Sequence, residues 1–189
     1  MKLKTISTMI AAIAISSHLH AAEVGGHNIP DSLKTTSSEL ALNGAGMREK
    51  WLIDLYVGGL YLKEKQQNAE KILDADEPMA LRLQIVSGMI TSEKMTSATV
   101  EGFESALNGK TEPLQAKIDD FLKTFKDEIK EGDVFEMVYD PKEGVKIYKN
   151  TQHANTIQGL EFKKALFGIW LSDNPAQKSL KKQMLGTKG

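Results

Sequence analysis

Residues Leu42 to Leu62, LNGAGMREKWLIDLYVGGLYL, decide how this chain is read. Trp51, Ile53, Leu55 and Val57 alternate with Lys50, Leu52, Asp54 and Tyr56. A period of two predicts a strand, and bulk at both parities predicts that both faces are at least partly covered. Gly58-Gly59 interrupts the run as a bulge or a close backbone approach does, and Leu60 to Leu62 continues it. Gly44-Ala45-Gly46 reads as a turn; no helix follows it, so it is no phosphate cradle. Between that turn and the strand stands Arg48. An arginine at the mouth of an apolar strand stays in water, meets a fixed acidic partner, or holds an anionic ligand, because a buried unpaired guanidinium is too costly to keep.

Outward from this segment the chain alternates blocks of strand and helix. Gln67 to Leu73 reads as a short helix and Met79 to Val86 as a strand, with Leu81, Leu83 and Ile85 set against Arg82 and Gln84. From Thr91 to Leu107 the period becomes helical: Thr96, Val100, Phe103 and Leu107 share a face, and Thr91 or Ser92 caps the start. Thr111 as a cap and Pro113 in the first turn open a further helix with an apolar stripe of Leu114, Ile118, Phe121, Leu122 and Phe125. Val134 to Tyr139 and Val145 to Tyr148 flank Asp140-Pro141-Lys142-Glu143-Gly144, a turn sequence, and so predict a hairpin, with a further strand over 151–157. Leu160 to Trp170 is amphipathic, and Asp173-Asn174-Pro175 restarts a last helix ending at Gly186. Grouped strands and grouped helices predict an α+β fold, an antiparallel sheet with helices packed on one face.

Residues 1–22 have the layout of a cleaved secretory signal peptide. Lys2 and Lys4 precede the uncharged run Ile6 to Ser16, and small residues follow at Ala21 and Ala22. The expectation is a periplasmic or secreted protein whose residues 23–189 form a single domain. No later segment approaches a membrane span. The chain has no cysteine, so disulfides and a cysteine-linked lipid anchor are excluded, and the domain rests on its core. Loss of Lys2 and Lys4 takes the formal charge from -1 to -3, which leaves no basic excess for nucleic acid. Past residue 22 only His27 and His153 remain, far apart, so no metal and no cofactor is expected. Asp119-Asp120 and Asp127-Glu128 read as solvated faces rather than paired catalytic acids.

Arg48 and Tyr56 are the polar residues that could carry function. A guanidinium forks onto two oxygens of a carboxylate or phenolate, a phenol adds a hydrogen bond, and an apolar tail gains about 0.8 kcal/mol per buried CH₂. Spacing alone equally allows a structural arginine paired with Asp54, Glu49 or a loop carboxylate. Tyr61 carries the same choice between a binding phenol and a packed ring. Phe167 and Trp170 read as core residues.

The quoted segment resembles the chalcone isomerase superfamily, in its bacterial secreted chalcone-isomerase-like branch. SGMITSEKMTSATVEGFESAL (Ser87 to Leu107) and GLEFKKALFGIWLSDNPAQKSLKKQMLG (Gly159 to Gly186) are similar to that family's middle strand–helix and its C-terminal helix pair. The resemblance implies an open-faced β-sandwich, a large antiparallel sheet with helices on one face and a ligand cleft between the layers. In the enzymes an arginine following the G-A-G stretch meets the ligand, and Arg48 matches it. The enzymes' threonine, helix-start tyrosine and asparagine fall on Tyr56, Thr91 and Ala98, so only the arginine is kept. Non-catalytic members that resemble fatty-acid-binding proteins keep an arginine and a tyrosine and take an apolar chain with a carboxylate head. The resemblance therefore implies binding of a small apolar carboxylate or phenolic ligand by Arg48 and Tyr56, with Trp51, Tyr61 and Thr91 as further candidates and Leu55 along the cleft. Its alternative is an intramolecular lyase, or isomerase, acting on a phenolic enone, with Arg48 and Tyr56 catalytic. A structural or interaction module with a filled core is the third reading.

Overall fold

A computed structural model describes residues 21–187. The expected leader lies outside the described residues except for Ala21 and Ala22, which pair with Pro30 and Ile29. Strands β1 (Ala21–Val24) and β2 (His27–Pro30) form a separate two-stranded ribbon. The main sheet has seven antiparallel strands in the order β3-β4-β5-β6-β7-β8-β9. They are β3 (Ser32–Lys34), β4 (Glu39–Lys50), β5 (Ile53–Leu62), β6 (Met79–Ile85), β7 (Val134–Asp140), β8 (Gly144–Lys149) and β9 (Gln152–Ile157). Every strand is hydrogen-bonded to its neighbours in sequence, so the connections need no crossover and carry the helices. Helix α1 (Ala69–Asp74) joins β5 to β6; α2 (Ser92–Ala106) and α3 (Gln115–Leu122) join β6 to β7; α4 (Leu160–Leu171) and α5 (Lys178–Met184) follow β9.

Strand alternation builds the core. Met79, Leu81, Leu83 and Ile85 of β6 point at the helices and are buried with Phe135, Met137 and Tyr139 of β7. The helical layer answers with Phe103, Phe121, Phe162, Leu166 and Trp170. Each such apolar side chain contributes about 1.5–3 kcal/mol on burial. Arg82 faces the other way and pairs with Glu136, its cross-strand partner, at 3.5 Å. On that opposite face the β1–β2 ribbon covers Met47 and Val57 with Ile29. The architecture is the expected α+β arrangement: a large antiparallel sheet with helices packed on one face. No described helix is long and apolar enough to cross a membrane.

Three local expectations are corrected. The strand expected from Lys50 onward is a hairpin: Lys50 pairs with Ile53, and Trp51 and Leu52 are its two-residue turn. Their φ values of 50° and 64° are the left-handed pair a type I′ turn requires. For side chains of this bulk such a backbone costs roughly 1–2 kcal/mol per residue, which is why nothing in the local sequence announced a turn. Gly44-Ala45-Gly46 lies inside β4 and is not a turn. A Cβ on Gly44 would run into the Gln183 carbonyl oxygen, so the glycines let α5 lie directly on the strand. Gly58-Gly59 is no bulge either, because both residues pair in register with β4 and β6. Gly58 is instead packed under Leu180 and Met184 of α5. Two caps also differ: Thr111 makes no side-chain capping bond, and α5 begins at Lys178, beyond Pro175.

Candidate functional site

Arg48 and Tyr56 face one another across β4 and β5. The register breaks between Arg48 and Glu49, so Leu55 is the extra residue, and both Leu55 and Tyr56 pack toward the helical core. The two residues meet across the β4–β5 hairpin, on neighbouring strands.

Trp170 of α4 completes the cluster, its indole N–H donating to the Tyr56 hydroxyl oxygen at 2.9 Å. Burial pushes the Tyr56 phenol upward in pKa, while the Trp170 hydrogen bond and the neighbouring Arg48 guanidinium pull it down. Among the described residues no acceptor takes the Tyr56 hydroxyl proton. Arg48 donates from Nη1 to the Gln177 Oε1 at 3.0 Å and to the Glu49 carbonyl oxygen. The same Gln177 oxygen accepts from the Glu49 N–H at 2.9 Å, which ties the start of α5 to the end of β4. None of the ion pairs among the described residues includes Arg48. The pairing with Asp54 or a Glu49 carboxylate that spacing allowed is therefore not formed. A guanidinium has five N–H donors, and Nη1 accounts for two of them. The rung is rich in donors and poor in acceptors.

A cleft of about 260 Å³ opens between the β4–β5 hairpin and α2. Leu55, Ile90, Met95 and Ala98 supply its apolar wall, with Trp51 and Met89 at its mouth. It reaches Leu55, one residue from Tyr56, and Lys50, two from Arg48; neither Arg48 nor Tyr56 lines it directly. Three larger depressions, of about 710, 770 and 380 Å³, contain no residue of β4 or β5, and the first two are edged by charged and amide side chains.

The remaining candidates fall elsewhere. Thr91 caps α2, accepting from the Lys94 N–H at 3.3 Å, and so fixes the helix that walls the cleft. Tyr61 lies on the opposite face of the sheet, fully buried against Leu40 and Ala80, and donates to the Pro30 carbonyl at 2.9 Å. Its role there is to hold the ribbon, and burial raises its pKa. Trp51 stands 85 % exposed at the hairpin tip. Two participants were not read from the sequence as such. Trp170 was legible only as a core residue, although an indole N–H in an apolar helix always needs an acceptor. Gln177 lies in a polar loop and carries no local signal. Among the described residues no group of three or more His, Cys, Asp or Glu could hold a metal ion.

The site is thus an arginine–tyrosine rung beside an apolar cleft, on an antiparallel sheet under a one-sided helical layer. The family model described as chalcone isomerase-like matches residues 21–186, and the chain belongs to that family. Its fold is similar to the crystal structure of a fatty-acid binding protein from Arabidopsis thaliana. The TM-score is 0.66 at 18% sequence identity, covering 85% of this chain and 92% of that one. No curated protein sequence gives a significant match.

Proposed function

We propose that this protein binds, without transforming, a small apolar ligand with an anionic or phenolic oxygen, of the fatty-acid type. The tail lies in the cleft against Leu55, Ile90 and Met95, and a shift of Leu55, which stands between the cleft and the rung, lets the head reach the Tyr56 hydroxyl proton and the remaining Arg48 N–H groups. The observation that carries this reading is the composition of the rung: Tyr56 accepts from Trp170 and has a proton to give, while Arg48 has no carboxylate. A buried donor left without an acceptor costs about 1–3 kcal/mol, and a carboxylate or phenolate oxygen satisfies it. Similarity of fold to a fatty-acid binding protein supports the same class of ligand. The leader expected over residues 1–22 places the mature domain in the periplasm or outside the cell.

Native mass spectrometry of the mature protein purified from its own host, beside Arg48→Ala, tests the proposal. A co-purified carboxylic or phenolic acid present in the wild type and absent from the variant is expected. A ligand retained equally by both proteins would contradict an Arg48 anchor. Incubation with a chalcone, followed by its long-wavelength absorbance, is expected to give no turnover above background; a rate that Arg48→Ala abolishes would favour the isomerase reading instead.

A further inference from the structure

The four large apolar side chains that are exposed among the described residues are Trp51, Leu52, Ile53 and Met89. All four lie at one end of the molecule: three at the tip of the β4–β5 hairpin and Met89 in the β6–α2 loop, which shares the cleft with Trp51 and Ile53. Trp51 and Leu52 are 85 % and 102 % exposed, so both apex side chains stand in solvent. The hairpin also outruns its sheet. β6 pairs with β5 only from Tyr56 onward, and residues Glu49 to Asp54 project beyond that edge.

Turn chemistry does not explain the apex. Among the described residues, three two-residue hairpin turns have both central residues at positive φ: Gly25-Gly26, Asn150-Thr151 and Trp51-Leu52. The first is built from glycine and the second begins with asparagine, residues suited to that backbone. The third holds two bulky apolar residues in the same conformation, where Asn-Gly would fold more easily.

We propose that this hairpin tip is a bilayer-docking element, with a phospholipid surface as its occupant. The apex is convex and two side chains wide, a shape that enters an interface and does not form a flat protein–protein patch. Lys50 Nζ sits 5.1 Å from the centre of the Trp51 ring, and Lys94, which donates to the Met89 carbonyl at 3.0 Å, lines the cleft together with Glu101. An indole at headgroup level with ammonium groups reaching lipid phosphates is the usual composition of an interfacial anchor. Glu49 and Asp54 face each other one rung behind, and their carboxylates limit entry to residues 50–53. Docked this way, the cleft mouth between Trp51 and Met89 faces the lipid, and an apolar chain passes between bilayer and protein without crossing water. The docking itself does not depend on the Arg48 reading.

The test uses the mature protein and vesicles of phosphatidylethanolamine and phosphatidylglycerol. Trp51 is exposed and Trp170 is buried, so a change in tryptophan emission reports the tip. Wild-type protein is expected to co-sediment with the vesicles and to shift its emission to shorter wavelength. The double variant Trp51→Asn/Leu52→Gly keeps a type I′ turn, so its thermal melting is expected to be no lower, while co-sedimentation is lost. Arg48→Ala is expected to dock as wild type does, which separates this surface from the ligand rung. Wild-type protein that neither sediments nor shifts overturns the proposal, as does equal sedimentation of the double variant. An emission shift that follows protein concentration without vesicles, with dimer formation in sedimentation velocity, overturns it in favour of a second copy on the tip.

Discussion

Two cations contact the helical layer, Lys163 from within the core and Arg48 half-buried near the end of β4, and the protein treats them in opposite ways. Lys163 of α4 is fully buried, and its Nζ donates to the carbonyls of Ile72, Leu73 and Ala75 at 3.1, 2.8 and 2.7 Å. Those carbonyls are at the C-terminal end of α1, where a positive charge also suits the helix dipole. The Lys163 ammonium lies 5.4 Å from the centre of the Tyr139 ring, and Tyr139 donates to Asp76 at 2.5 Å. All three ammonium donors are therefore satisfied by the fold. Arg48 is half-buried; it meets one amide oxygen, one carbonyl and the Tyr56 hydroxyl oxygen but no carboxylate, and the Tyr56 proton is itself unclaimed among the described residues. Lys163 is closed off by its acceptors, whereas the Arg48–Tyr56 rung keeps donors free for a ligand oxygen.

The comparison breaks first at Lys163. Lys163→Met orphans three carbonyls and is expected to lower stability by about 3 kcal/mol in urea unfolding, with ligand affinity unchanged in the folded fraction. A variant as stable as wild type would mean that α1 does not depend on this cap. Arg48→Ala should behave in the reverse sense. Affinity for a long-chain carboxylate falls by roughly 10- to 100-fold, the worth of a charge-assisted hydrogen bond, and stability moves by less than about 1 kcal/mol. Tyr56→Phe lies between the two. It orphans the Trp170 N–H and removes a ligand donor, so about 1–2 kcal/mol of stability and about tenfold in affinity should go together. Loss of only one of them would show that Tyr56 serves the fold or the ligand alone.

The smallest effect is in pH. Burial lowers the Lys163 pKa to about 8 from its ordinary 10.5. Between these values the unfolded chain binds more protons than the folded one, so this group's contribution to stability rises as pH climbs from about 8 toward 10.5. The tyrosines Tyr56, Tyr61 and Tyr139 have raised pKa values and work the other way above pH 10, as the unfolded phenols ionise first. A stability profile from pH 7 to 10, wild type against Lys163→Met, should show the rising component only in the wild type.

Much of the fold was legible because strand and helix periods are local. The β6 alternation and the hairpin around Asp140 to Gly144 stand where the pattern put them, and the stripe from Leu114 to Phe125 is borne by α3 with a 3-10 turn at each end. The tip at Trp51-Leu52 was hidden because its residues alternate like a strand and are unsuited to the turn they make. Gly44-Ala45-Gly46 misled for the opposite reason: glycines suggested a turn, but their purpose is the close approach of α5. Lys163 is the one charged residue of α4 that faces the core, Glu161 and Lys164 lying nearer the surface, and its three carbonyl partners lie about ninety residues away in the chain. Arg48 and Tyr56 could be named from residue type and surroundings. Their cross-strand meeting, and the Trp170 N–H that makes the cluster donor-rich, depend on contacts between distant segments that no local pattern encodes.

The central claim is that the Arg48–Tyr56 rung receives an anionic head, and a matched pair of ligands tests it most directly. A long-chain carboxylic acid and its methyl ester are titrated into wild-type protein and Arg48→Ala. The account predicts that wild type prefers the acid by roughly tenfold or more and that the variant loses this preference while retaining the ester. Equal binding of acid and ester by the wild-type protein would contradict it.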